Sequence, residues 1–129
     1  MNEIELKPDK VQIDPKIKKE LKTSVEEEAQ VIVHCSVAPA YMQRLRIWTN
    51  TYLDPNNKGR KSPLTHAENI AFYPNWTHCD RNEHNFTLFF KALPKTCTSF
   101  DLIEDIPEPG GFEVFNIKRN STDVYHVNI

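Results

Sequence analysis

Short extended runs, each ended by proline or asparagine, constrain this chain more than any other feature. In residues 29–37, Val31, Val33, Cys35 and Val37 fall on one face of an extended backbone, and Ile32, His34 and Ser36 fall on the other. Phe86, Leu88 and Phe90 alternate in the same way against Thr87, Phe89 and Lys91 in 84–92. Further runs of this period lie at 44–53, 69–73, 98–104, 112–117 and 124–129. Pro39, Pro55, Pro74, Pro94, Pro107 and Pro109 stand where runs stop, because proline has no N–H for a strand ladder. The chain has nine prolines and only three glycines, so proline and asparagine supply the punctuation glycine often gives. Asp54-Pro55-Asn56-Asn57-Lys58-Gly59 is the strongest turn signal.

Seven or eight such strands in 129 residues predict one all-β domain, an immunoglobulin-like antiparallel β-sandwich. Leu, Ile, Val and Phe together number 33, enough for a core. Residues 1–28 stand somewhat apart. Val11 to Ile13 is a short extended piece, and Ile17, Leu21 and Val25 recur at helical spacing, yet 17–23 reads equally as an N-terminal strand or linker. Residues 54–69 and 74–84 read as long connections, where function most often sits in such a fold.

No apolar run approaches the ~20 residues of a membrane helix. The N-terminus lacks the basic start and apolar stretch of a secretory leader. As written the chain reads as cytoplasmic, or as a cell-envelope domain if a leader has been removed. Three cysteines without a C-x-x-C pair predict buried thiols rather than a disulfide framework, one disulfide plus a thiol being the other reading. Three N-x-S/T sequons, at Asn75, Asn85 and Asn120, carry weight only in a glycosylating compartment. Charge is uneven: residues 41–61 carry a net +4 and residues 99–113 a net −5. The simplest expectation is that these segments face one another or are solvated.

Three candidate sites follow. Arg44, Arg46, Trp48 and Tyr52 place cations and rings on one stretch. With Phe72, Tyr73, Trp76 and Phe89 they form an aromatic-basic set that would suit a small ligand or carbohydrate, if the rings are not simply core. His78, Cys79 and His84 offer zinc-type donors; His78 and His84 have a suitable spacing, without a matching cysteine pair. Cysteine catalysis is disfavoured, because His34-Cys35 and His78-Cys79 send adjacent side chains to opposite faces of a strand. Phosphate-cradling loops are absent, as three glycines would imply, and the formal net charge of −2 argues against a nucleic-acid binder. No cofactor is indicated.

One longer pattern carries a resemblance. Phe86-Thr87-Leu88-Phe89-Phe90-Lys91-Ala92-Leu93-Pro94-Lys95, then Ser99-Phe100-Asp101-Leu102-Ile103-Glu104 and residues 112–117, form an FTLxFxxLPK…SFDxIE ending. It resembles that of a family of bacterial immunoglobulin-like β-sandwich domains of unassigned function, some of them placed before thioredoxin-like modules in envelope proteins. Thr51-Tyr52-Leu53 with the Gly59 turn is similar to an upstream stretch of that family, although Pro63-Leu64 replaces its usual tyrosine and the turn is longer. The resemblance spans residues 29–117 and implies the sandwich but no catalytic residues; this chain has no thioredoxin-like part. Asp101 and Glu104 are expected to accept backbone or hydroxyl hydrogen bonds. The sequence therefore predicts a non-enzymatic interaction module that binds a protein partner through an edge strand or through residues 54–69 and 74–84. The alternatives are the small-ligand face and the metal site.

Overall fold

A computed structural model describes residues 30–38, 44–79 and 83–129. The sequence expectations for residues 1–28, and the stop at Pro39, lie outside the described residues. The described chain is all strand: β1 (Gln30–Val37), β2 (Arg44–Leu45), β3 (Thr51–Pro55), β4 (Ser62–Glu68), β5 (Thr77–His78), β6 (His84–Lys91), β7 (Ser99–Glu104), β8 (Glu113–Lys118) and β9 (Val124–Asn128).

Seven strands form one sheet in the order β8-β7-β3-β4-β6-β1-β9, and β2 pairs with β5 in a separate ribbon. The strongest alternations become the central pairs. β1 runs antiparallel to β6 with Val31 opposite Phe90, Val33 opposite Leu88 and Cys35 opposite Phe86. All six of these side chains are buried. On its other edge β1 pairs with β9 in parallel, His34 opposite His126, so the sheet is mostly rather than wholly antiparallel.

The two edge strands, β8 and β9, are consecutive in sequence and joined only by residues 119–123. So short a link holds the edges together and curls the sheet into a nearly closed barrel. Arg119 fastens this seam. Its Nε and Nη2 donate to Asp123 Oδ1 and Oδ2 at 2.9 and 3.0 Å. Its Nη1 reaches the carbonyls of Pro94 and Cys97, and its backbone N–H donates to Thr98 O. The Tyr125 hydroxyl donates to Asp123 Oδ1 at 2.7 Å, and its ring packs edge-on against Phe100. Burial pushes the Asp123 carboxyl upward, but the hydrogen bonds from Arg119 and Tyr125 outweigh it and hold the group below the ordinary aspartate value. Tyr125 is pushed up to about 12, first by burial and then by the neighbouring carboxylate.

Three expected elements differ. The run at 44–53 is not one strand: Thr51 Oγ1 donates to Trp48 O at 2.7 Å, forming a turn that separates β2 from β3. The run at 69–73 keeps only an isolated bridge from Phe72 to Ile47. The supposed connection at 54–69 contains β4, which pairs with β3 through Ser62 and Pro63 and with β6 from Leu64 onward. A bulge between Leu64 and His66 breaks the two-residue period, so the sequence shows no alternation there. The expected turn follows β3, with Asn57 Oδ1 accepting from Gly59 N and Lys58 in the left-handed region at φ 63°.

Candidate functional site

Beside the sheet, Arg44 and Leu45 on β2 pair with His78 and Thr77 on β5. The segment then continues through Ile47, which bonds to Ala71 O and Tyr73 N and brings residues 71–79 alongside. Alternation buries Leu45 and Ile47 completely and turns Arg44, Arg46 and Trp48 outward. The outward side chains meet Tyr73 and Trp76, which are 46% and 39% exposed, the largest exposures of any aromatic residue among the described residues except Phe115.

Together they form a ladder of alternating character. The Trp48 ring stacks on Tyr73 at 3.8 Å between centroids. The Arg46 guanidinium lies 4.6 Å from the Tyr73 centroid and 3.8 Å from that of Trp76. The Arg44 guanidinium lies 4.2 Å from the same Trp76 ring. Each such cation–ring contact stabilises by roughly 0.5–2 kcal/mol depending on solvent access, so the ladder fixes both arginines in place.

Opposite the ladder stands the acidic segment, as the charge asymmetry anticipated. Arg46 Nη2 pairs with Glu108 Oε1 at 3.1 Å. Glu104, at the end of β7, is only 5% exposed. Its Oε2 accepts from Trp48 N and its Oε1 from Phe112 N, each at 3.0 Å. One carboxylate thus ties the Trp48 end of the ladder to the segment that enters β8. Burial raises its pKa above the ordinary glutamate value despite those two hydrogen bonds. Asp101 likewise accepts from Asn116 N at 2.9 Å, so both acids of the SFDxIE corner take backbone donors, as expected.

Two of the three glycines sit here for separate reasons. Gly110 has φ +94°, the left-handed region that favours glycine, with open space around it. A Cβ on Gly111 would collide with the carbonyl oxygen of Glu104. Ladder and acidic segment together enclose an open cleft of about 410 Å³. Arg44, Arg46, Trp48 and Trp76 form one wall, Glu104, Glu108, Pro109 and Gly110 the other, with Leu45, Ile106 and Phe112 between them.

Of the sequence candidates, Arg44, Arg46, Trp48 and Trp76 come together in this cleft, and Tyr73 stacks on Trp48 beside it. Tyr52 does not line it; its ring lies under the Lys61 ammonium, 4.5 Å from the centroid. Phe89 is also elsewhere, 5.3 Å from His66, and Phe72 packs against the core. The sequence placed neither Glu104, expected only as a hydrogen-bond acceptor, nor Glu108 beside this set, and the signal for both was the acidic run at 99–113.

The three candidate metal donors are placed differently. His78 is exposed on β5, Cys79 Sγ donates to Thr77 O, and His84 Nε2 is 2.8 Å from Asn69 O at the start of β6. Among the described residues no group of three or more His, Cys, Asp and Glu side chains is arranged to hold a metal. Cys35, Cys79 and Cys97 form no disulfide with one another. Burial pushes the Cys35 thiol up to about 12, the reverse of what a nucleophile needs. Among the described residues no helix is long and apolar enough to cross a membrane. Compared with family models, with curated proteins and with solved structures, the chain matches none.

Proposed function

We propose that this domain is a non-enzymatic binding module that engages a protein partner at the cleft between the Arg–Trp ladder and the acidic segment. The observation that carries the reading is the exposure of Trp76 in a cleft whose arginines are already held in position, with the exposed Tyr73 stacked behind Trp48. A rigid wall of rings and guanidiniums loses little side-chain entropy on binding, which is why Trp, Tyr and Arg dominate binding hot spots. The immunoglobulin-like sandwich of the resembled family belongs to the same reading. Its support is that β4 pairs with β3 at one end and with β6 at the other, the behaviour of a strand that turns a corner between two packed half-sheets.

Carbohydrate binding is the weaker reading. Sugars stack on bare ring faces, whereas two guanidiniums lie over Trp76, and Trp48 and Arg46 lie over Tyr73.

The test is a pulldown from the native source with wild-type and Trp76→Ala baits of matched thermal stability. A partner bound at the cleft is captured at least about tenfold less by the variant. Equal capture by both baits contradicts the proposal.

A further inference from the structure

The two guanidiniums of the ladder are not equivalent. Arg46 has a carboxylate counter-ion in Glu108 and also donates to Pro74 O. Arg44 is exposed and stacks on Trp76, and among the described residues it has no ion pair. Glu104 does not balance it, since both its oxygens are engaged by backbone N–H groups. The remaining acids, Asp105 and Glu113, line a second depression that meets the cleft at Glu104, Ile106, Glu108 and Gly110; Arg44 lines only the first. The cleft is thus polar along its length, with an unneutralised planar cation at one end and carboxylates at the other.

We infer that the cleft takes an acidic peptide, whose carboxylate pairs with the Arg44 guanidinium while an adjoining apolar side chain rests on Ile106 and Pro109. This rests on the reading of the cleft as a binding site and names the chemistry of its partner. The guanidinium fork matches a carboxylate through two parallel N–H···O bonds, and stacking on Trp76 holds the fork's plane in place before the ligand arrives. Charge complementarity also sets direction. A carboxylate at the Arg44 end meets a cation, while at the Asp105 and Glu113 end it meets like charge.

The probes are N-acetyl-Gly-Asp-Phe-amide, whose aspartate is the acid, the same peptide with asparagine, its carboxamide, in that place, and inorganic phosphate. Binding is followed through the indole N–H resonances of Trp48 and Trp76. The acid is expected to bind at least about fivefold more tightly than the carboxamide, and Arg44→Gln to abolish that difference. Should Arg44→Gln not fold, salt dependence on the wild-type protein decides instead. The acid's affinity then falls as ionic strength rises and the carboxamide's does not.

Equal binding of acid and carboxamide, no binding of either, or an acid preference that survives Arg44→Gln overturns the inference. Phosphate binding as tightly as the acid overturns the peptide assignment. If the pulldown shows a cleft-dependent partner while the acid shows no preference, the binding module stands and this inference alone falls.

Discussion

Replacing Glu104 by alanine is expected to lower stability by about 3 kcal/mol, read as a shift in the midpoint of denaturant unfolding. The Trp48 and Phe112 amides each donate to this carboxylate, and alanine offers them no acceptor. A buried N–H left without a partner costs about 1–3 kcal/mol. Removing the carboxylate's own desolvation cost returns part of that loss. Glu104→Gln keeps one carbonyl oxygen, so it should lose about half as much.

The pH dependence separates charge from geometry. Burial raises the native pKa of Glu104, so the folded protein holds its proton at pH values where the unfolded chain has released it. Stability from this group is therefore fully present below the ordinary glutamate pKa and is lost as pH rises through the raised one. Glu104→Gln should remove that slope. An unchanged slope in the variant would mean that another group carries it.

The second large effect belongs to the seam. Asp123→Ala takes away the two-pronged partner of Arg119 and the acceptor of the Tyr125 hydroxyl. Both members of the pair are largely buried, with side-chain exposures of 19% and 24%. Breaking a buried pair costs about 3–5 kcal/mol. Partial access to water reduces this, and about 3 kcal/mol is expected.

The sign of the pH effect is opposite to that of Glu104. The native pKa of Asp123 is depressed, so its contribution is present above the ordinary aspartate value and is lost as pH falls through the native one. Acid titration of wild type and variant should therefore converge below that value. Stabilities that remain apart at low pH would show that the loss is packing around Arg119 rather than the ion pair. Because residues 119–123 join the two edge strands, amide exchange in β8 and β9 should rise more than in β1 and β6.

The parts of the fold visible in the sequence are those where one face is buried along a whole strand. β1 and β6 carry that signature, and each occupies the place its alternation predicts. β4 does not, because Ser62-Pro63-Leu64-Thr65-His66-Ala67-Glu68 spreads its few apolar side chains across a bulge and changes partner from β3 to β6 along its length. The punctuation by asparagine has a backbone explanation. Asn69, Asn116 and Asp123 adopt φ of 63°, 58° and 55°, the left-handed conformation usually left to glycine. Asn120 adds a side-chain cap, accepting from the N–H groups of Thr122 and Asp123 and fixing the seam's turn.

The site was half legible. Arg44, Arg46 and Trp48 alternate on one face of the short extended segment 44–48, so their spacing shows them together. Tyr73, Trp76, Glu104 and Glu108 reach them only through tertiary contacts, and for the acidic wall the sequence showed only the charge asymmetry and an acceptor role for Glu104. Tyr52 shares the stretch but lies beyond the turn at Thr51, on a strand that belongs to the main sheet.

β7 runs from Ser99, near the Arg119 seam, to Glu104 at the cleft, so the turn containing Lys95 lies at the other end of the sheet. This separation allows a direct measurement of where the partner binds. A photo-crosslinking amino acid is placed at Pro109, on the rim of the cleft, or at Lys95, and each protein is irradiated in extract from the native source. Binding at the cleft predicts a discrete crosslinked partner from position 109 and none from position 95. A partner crosslinked at 95 and not at 109 would contradict it.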